Sequence, residues 1–155
     1  RVLDPMPTRY AEIADFLVYG LKVTAWGTAV DADVEAELDA ASGVMDSFFN
    51  GRYNLPLATW PLEVRVCCSA IAAYLLLVSP RGYNAGAGAD ENIRKRYDDM
   101  TSVRDREEGY LRNVQRRVLH PVIVEVATDA ALEQPLVLTS SVVDMNGTVA
   151  RNRGW

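Results

Sequence analysis

Cysteine is confined to one adjacent pair, Cys67-Cys68, and histidine to His120, in a chain of 155 residues. Neighbours on one helix cannot adopt disulfide geometry, and this pair lies inside an apolar run. It reads as two small buried hydrophobes in a reducing compartment. Neither a disulfide framework nor a zinc site can be assembled from such a stock. Long apolar runs are also missing. The longest, Val66 to Val78, is interrupted by Ser69; it is too short to span a bilayer and suits a buried helix. Residues 1–20 mix Asp4, Arg9, Glu12 and Asp15 with apolar side chains, which is not a secretory-signal pattern, so no membrane association is expected.

The usual signatures of chemistry are absent as well. The glycine-rich "GYNAGAG" of residues 82–88 has no Gly-Lys-Ser/Thr ending and no strand leading into it, as a phosphate-binding loop would. Thr139, Ser140 and Ser141 carry no local nucleophile signature. Asp98-Asp99 and Glu107-Glu108 lack the Glu-x-x-His partner of helix-bundle metal sites. They alternate with Arg94, Lys95, Arg96, Arg104, Arg106 and Arg112, so they read as a solvated, ion-paired face. His120 precedes a proline and reads as a cation at a helix C-terminus. No catalytic residue, cofactor or metal is expected, and the chain is expected not to be an enzyme.

What is present is an ordinary globular composition, 49% hydrophobic and 24% charged, with a net charge of −5. The length suits one domain with a core of its own. The charge is segregated: residues 1–50 sum to −6 and residues 91–118 to +2. An acidic chain is a poor generic binder of nucleic acid. An acidic front and a basic later helix can instead pair, within the fold or between copies.

The hydrophobic periodicity predicts a mainly α fold, a four-helix core over residues 8–120 with an extended C-terminal arm, 121–155, that includes at most a short β-hairpin. Thr8 reads as the N-cap of a helix carrying Tyr10, Ile13, Phe16 and Leu17 and stopping at Gly20. Residues 21–32 read as a partly buried loop around Trp26. Asp33 reads as the cap of a second helix with the stripe Val34, Leu38, Ala41, Met45, Phe48, widened by Phe49 and closed by a left-handed Asn50-Gly51. Pro61 opens a third helix, apolar all round and therefore central. Asp90 caps a fourth helix that runs to His120, with a kink or break near 104–109 where Glu107 and Gly109 interrupt its stripe. Unbroken, that helix would be about 45 Å long and would overshoot the core. "PVIVEV" and "PLVLTSSVVD" have β-branched alternation, with turn signals at Thr128-Asp129 and Asn146-Gly147.

Residues 50–65, "NGRYNLPLATWPLEVR", are too rich in Tyr, Leu and Trp for a linker. Tyr53, Leu55 and Leu57 alternate, and Pro56 forces Leu55 out of the helical region. The segment is expected to cover the core between the second and third helices. Arg52 is left to cap carbonyls of the second helix or to pair with Asp46.

The order "YAEIADFL" (10–17), "DAASGVMDSFFNGRYNLPL" (39–57), a proline-initiated apolar helix and "RKRYDDM" (94–100) resembles the head–tail connector adaptors, or head completion proteins, of Mu-like tailed phages. "RNRGW" (151–155) resembles the basic-Gly-aromatic tail of that family. Phe48 stands where the family commonly has Tyr, and 121–138 has no evident counterpart. The resemblance implies a structural adaptor in the virion neck, present in the host cytoplasm during assembly. It implies a homo-oligomeric ring, of twelve copies, under the portal protein, extending the DNA channel and docking the next neck or tail completion protein. DNA would pass without specific binding. The acids Asp31, Asp33, Glu35, Glu37 and Asp39 are the expected subunit contact for Arg94, Lys95, Arg96 and Arg104 of the next copy. Val142, Val143, Arg151, Arg153, Gly154 and Trp155 are the expected portal-docking residues, and Gly51, Arg52, Tyr53, Leu55, Pro56 and Leu57 the packing motif. Two other readings compete: a small cytoplasmic helical regulator acting as a dimer, and an enzyme using His120 with a carboxylate.

Overall fold

Helix α2, Asp31–Phe49, shows how directly the pattern becomes structure. Val34, Leu38, Ala41, Met45 and Phe49 recur at helical spacing, and each is wholly buried. The helix starts earlier than expected, after an extended Val30. Asp33 serves from the first turn, its carboxylate accepting the Val30 N–H at 3.0 Å. The two phenylalanines exchange roles: Phe49, four residues after Met45, is buried, and Phe48 is only half-buried. The expected left-handed stop is also corrected. Asn50 is right-handed (φ −54°, ψ −28°), and the N–H groups of Arg52 and Tyr53 both reach Phe49 O at 2.8 Å. Among the described residues the positive φ angles belong to Gly27 and Arg117.

The structure is a computed structural model that describes residues 8–79, 87–101 and 109–126. It is mainly helical, with one small antiparallel sheet. Helix α1 is one turn, Ile13–Asp15, continuing into a π-helical turn, Phe16–Gly20. Thr8 is therefore not the cap: Tyr10 and Ala11 precede the helix and are buried in the core. The π turn closes with Leu21 N–H on Phe16 O at 3.1 Å. Gly20 is required there, since a Cβ would lie 2.7 Å from the buried Phe16 ring. A single 3-10 turn, Val23–Ala25, leads to the buried Trp26.

Strand β1, Leu57–Thr59, precedes helix α3, Leu62–Val78. Pro61 stands just before α3, whose nine buried residues from Val64 to Leu76 lie on nearly every side of it. Helix α3 packs against α2, the π turn and helix α4, Ala87–Thr101, so it is the central element. Asp90 lies inside α4 and does not cap it. The fourth helix is interrupted: Gly109 is extended (φ −60°, ψ 162°) and starts a separate six-residue helix α5, Tyr110–Gln115. Glycine is among the residues favoured at such an extended N-cap. No helix of about 45 Å runs from 90 to 120. Helix α5 ends five residues short of His120, where Arg117 takes φ 63°.

The chain then returns to the core. Strand β2, Val124–Glu125, pairs antiparallel with β1 (Leu57 with Glu125, Thr59 with Val124, with an irregularity between). Ile123 packs against the core. Residues 127–155, with both turn signals and all six expected portal-docking residues, lie outside the described residues, as does Arg104.

Candidate assembly surfaces

Three surfaces hold the described residues among those singled out by the sequence. The first is the acidic side of α2. Here Arg9 reaches across thirty residues, donating from Nε and Nη2 to the two carboxylate oxygens of Asp39 at 2.7 and 3.0 Å. Its Nη1 lies 3.7 Å from Glu35. This forked geometry is the strong form of an ion pair, and it holds the Arg9 guanidinium above its ordinary pKa, chiefly through the Asp39 bond. Two of the five expected contact acids are thus already bridged within the chain. Asp33 bonds Val30, and Asp31 is exposed at the helix start. Sequence reading missed the Arg9 clamp because nothing local ties residue 9 to residue 39.

The second surface is α4. Arg94, Lys95 and Arg96 are all exposed, and Arg96 donates to Tyr19 O at 3.3 Å. Asp90, Glu91, Asp98 and Asp99 share the same short helix. The basic character is therefore one turn wide, a narrower feature than the sequence suggested. On its inner side α4 is pinned by Tyr97, whose ring stacks on Tyr74 of α3 at 4.0 Å between centroids. Beside this helix Val18, Tyr19, Val66, Ala70, Arg96 and Met100 line a groove of about 320 Å³.

The third is the "GRYNLPL" block. Leu57 is buried, and Tyr53 and Leu55 pack half-buried against the core. Gly51 has open space around it, and the Leu55–Pro56 peptide is cis. Arg52 departs from both expected roles. Its guanidinium bonds the carbonyl of Val114, donates to Leu119 O at 2.6 Å, and lies 2.7 Å from His120 Nδ1. The cation also sits 4.9 Å above the Tyr53 ring. It caps the C-terminal end of α5, the position of favourable charge that His120 was expected to fill. Asp46 is taken by Tyr10, whose hydroxyl donates to its carboxylate. Burial raises the Asp46 pKa, and the Tyr10 bond opposes that.

His120 is exposed and borders a cleft of about 320 Å³ lined by Pro61, Glu63, Tyr110, Leu119, Pro121 and Val122. The Tyr110 hydroxyl is buried with no hydrogen-bond partner among the described residues. The cysteines face inward. Cys68 Sγ touches Ser42 Oγ at 3.5 Å, and burial pushes its thiol up to about 11 and that of Cys67 further still. Such thiols are poor nucleophiles near neutral pH. Among the described residues no group of three His, Cys, Asp or Glu side chains is placed to hold a metal ion. No described helix is long and apolar enough to cross a membrane.

A family model, Bacteriophage Mu, Gp36, matches residues 13–106. The chain belongs to that family. The match runs from α1 through α2, β1, α3 and α4, and stops before α5 and β2. Membership in the Gp36 family places the chain with phage structural proteins and associates it with the virion. It agrees with the resemblance to a Mu-like head–tail family carried by residues 39–57. No curated protein matches the chain.

Proposed function

We propose that this Gp36-family chain is a head–tail adaptor that assembles as a ring under a phage portal, extends the DNA channel and receives the next neck or tail protein. The observation that carries the reading is the family match, which takes in every large helix of the core. The disposition of charge supports it. Helices α2 and α4 both pack on α3, one carrying the acidic cluster and the other the basic turn. A head-to-tail ring needs two such unlike faces on each copy.

In this reading the α2 side of one copy, with Asp31 and Glu37 beside the Arg9-bridged Glu35 and Asp39, meets the Arg94–Arg96 turn of the next. Arg104 is kept as a candidate on the same grounds as before, its charge. The function is mechanical: no bond is made or broken, and an acidic channel wall lets DNA slide through without specific contacts. The residues assigned to portal docking are those of the 142–155 segment.

The test is the mass of the purified chain by light scattering, alone and then with its portal protein. A monomer or small oligomer that becomes ring-sized on the portal is the expected result. A stable dimer indifferent to portal overturns the proposal and favours a dimeric regulator. The Arg94→Glu, Lys95→Glu double variant is expected to remain folded and to lose ring formation at low salt.

A further inference from the structure

We infer that Val30 and Asp31 of one copy plug the groove between the π turn, α3 and α4 of the next. This deepens the adaptor reading and rests on it, by naming the residues through which neighbouring copies recognise each other.

The acidic side of α2 has fewer uncommitted acids than its sequence suggests. Glu35 and Asp39 are bridged by Arg9, Asp33 accepts the Val30 N–H, and Glu37 is engaged within the chain as well. Asp31 is exposed, and its carboxylate has no hydrogen-bond or ion-pair partner among the described residues. Beside it Val30 is 59% exposed, just ahead of the first turn of α2. The start of this helix thus presents an aliphatic group and a negative charge side by side.

The groove has the complementary pattern. Val18, Val66, Ala70 and Met100 wall about 320 Å³, room for a branched aliphatic side chain, and Arg96 lines the same space. Val18 is 72% exposed, so the described residues leave this apolar wall uncovered. Arg96 is exposed and donates to Tyr19 O at 3.3 Å, which fixes the guanidinium beside the groove. No acid pairs with it among the described residues. A valine entering the groove leaves the next residue within reach of that cation, since consecutive Cα atoms are about 3.8 Å apart. Val30 is exposed, so it does not fill the groove of its own chain, and the plug comes from a second copy. Such a contact between unlike surfaces is head-to-tail, as a ring requires. The exposed pair Leu62-Glu63 has similar chemistry, but Glu63 lines a cleft of its own beside Pro61 and Tyr110. One valine and one ion pair hold weakly between free copies. They suit copies gathered on a template, where the effective concentration reaches roughly a millimolar.

The test mixes two variants of the full chain, Val18→Cys and Val30→Cys, at about 1 mM, the concentration such a template supplies. Glutathione disulfide then oxidises the exposed thiols, while Cys67 and Cys68 are buried and stay out of the exchange. Peptide mass spectrometry counts the products. The expected product joins position 18 to position 30, about tenfold ahead of the 18–18 and 30–30 products. Asp31→Arg in one variant, or Arg96→Asp in the other, should cut it about tenfold, and the two together should restore it. Circular dichroism should be the same for all of these proteins. Statistical yields, indifference to the charge changes, or a preference of position 18 for Leu62→Cys over Val30→Cys overturns the inference. The adaptor reading is judged separately, by ring formation of the unsubstituted chain on the portal. Rings without the 18–30 product sink the plug alone, and the product without rings sinks the adaptor role alone.

Discussion

The α2–α3 side of the protein and the α5–β2 side are held by different means. Between α2 and α3 the contact is apolar and periodic: Val34, Leu38, Met45 and Phe49 meet Val64, Cys67, Cys68 and Ile71, all wholly buried. Fully burying one such large side chain contributes roughly 1.5–3 kcal/mol, so a few residues dominate that side. On the α5–β2 side the described residues that enter the core are Leu111 and Val114, with half-buried Tyr110 and Ile123 against it. The rest is tied by polar groups: Arg52 to the carbonyls of Val114 and Leu119 and to His120, and Asn54 to Glu125 at 2.6 Å. A two-residue strand completes it. One side is a packed seam and the other is a tether.

Removing an anchor from the seam should break the whole fold. Phe49 is wholly buried and sets its ring edge-on to Tyr10 and Tyr53, with centroids 5.7 and 5.9 Å apart. Phe49→Ala is expected to cost about 3–5 kcal/mol, the usual range for emptying an aromatic site in a core. Urea unfolding should show one transition moved to a lower midpoint, with every region of the chain losing protection together. A variant in which only the residues around Tyr53 lose protection would show that Phe49 belongs to the tether.

Removing the tether should do something narrower. Arg52→Ala deletes charge-assisted donors to two carbonyls and to His120, an expected loss of about 2 kcal/mol, since the site is partly exposed. Hydrogen exchange should speed up across 111–126 while the α2 and α3 amides change far less. Arg52→Lys should not rescue it, because a compact ammonium lacks the planar spread by which two guanidinium nitrogens reach Val114 O, Leu119 O and His120 Nδ1. Equal acceleration in α3 would merge the two sides into a single unit. Full rescue by lysine would reduce the role of Arg52 to its charge.

The same division decides what was legible in the sequence. The seam was readable because apolar recurrence is local information: α2 and α3 follow from residues three and four apart. The resemblance to the phage family likewise rests on contiguous blocks, 39–57 above all, and the family match covers that region. The tether was not readable. Arg52 was placed beside α2 or Asp46 because those are its neighbours in sequence, whereas its acceptors lie 62 to 68 residues on. The Arg9–Asp39 clamp was hidden for the same reason. The π turn escaped because a helical stripe over 13–20 says nothing about whether the carbonyl of residue 16 is met at residue 20 or 21. Helix ends failed where a residue with capping chemistry stood nearby: Thr8, Asp33 and Asp90 were all offered as caps, and none is one in the structure. The break at Gly109 was visible as an interrupted stripe, although the sequence left kink and break undecided.

Asp46 lies on the seam yet belongs to it by a polar bond, and it gives the smallest and most discriminating test. Burial raises its folded pKa above the ordinary 3.8, and the Tyr10 hydroxyl bond opposes the rise. The folded state then holds this proton at pH values where the unfolded chain has already released it. Stability from this group is therefore greatest below 3.8 and falls as pH rises from there to the raised folded value. Asp46→Asn keeps an oxygen to accept the Tyr10 hydroxyl and abolishes the titration. Relative to the parent, the variant should gain stability as pH climbs through that window and hold a constant difference above it. Urea midpoints measured at intervals from pH 3.5 to 8 give the curve. A difference that stays flat with pH would mean that folding leaves the Asp46 pKa unchanged, and one that falls as pH rises would mean that the charged carboxylate is favoured in the folded state. The Tyr10–Asp46 bond would then hold the seam as Arg52 holds the tether, and the contrast between the two sides would be one of degree.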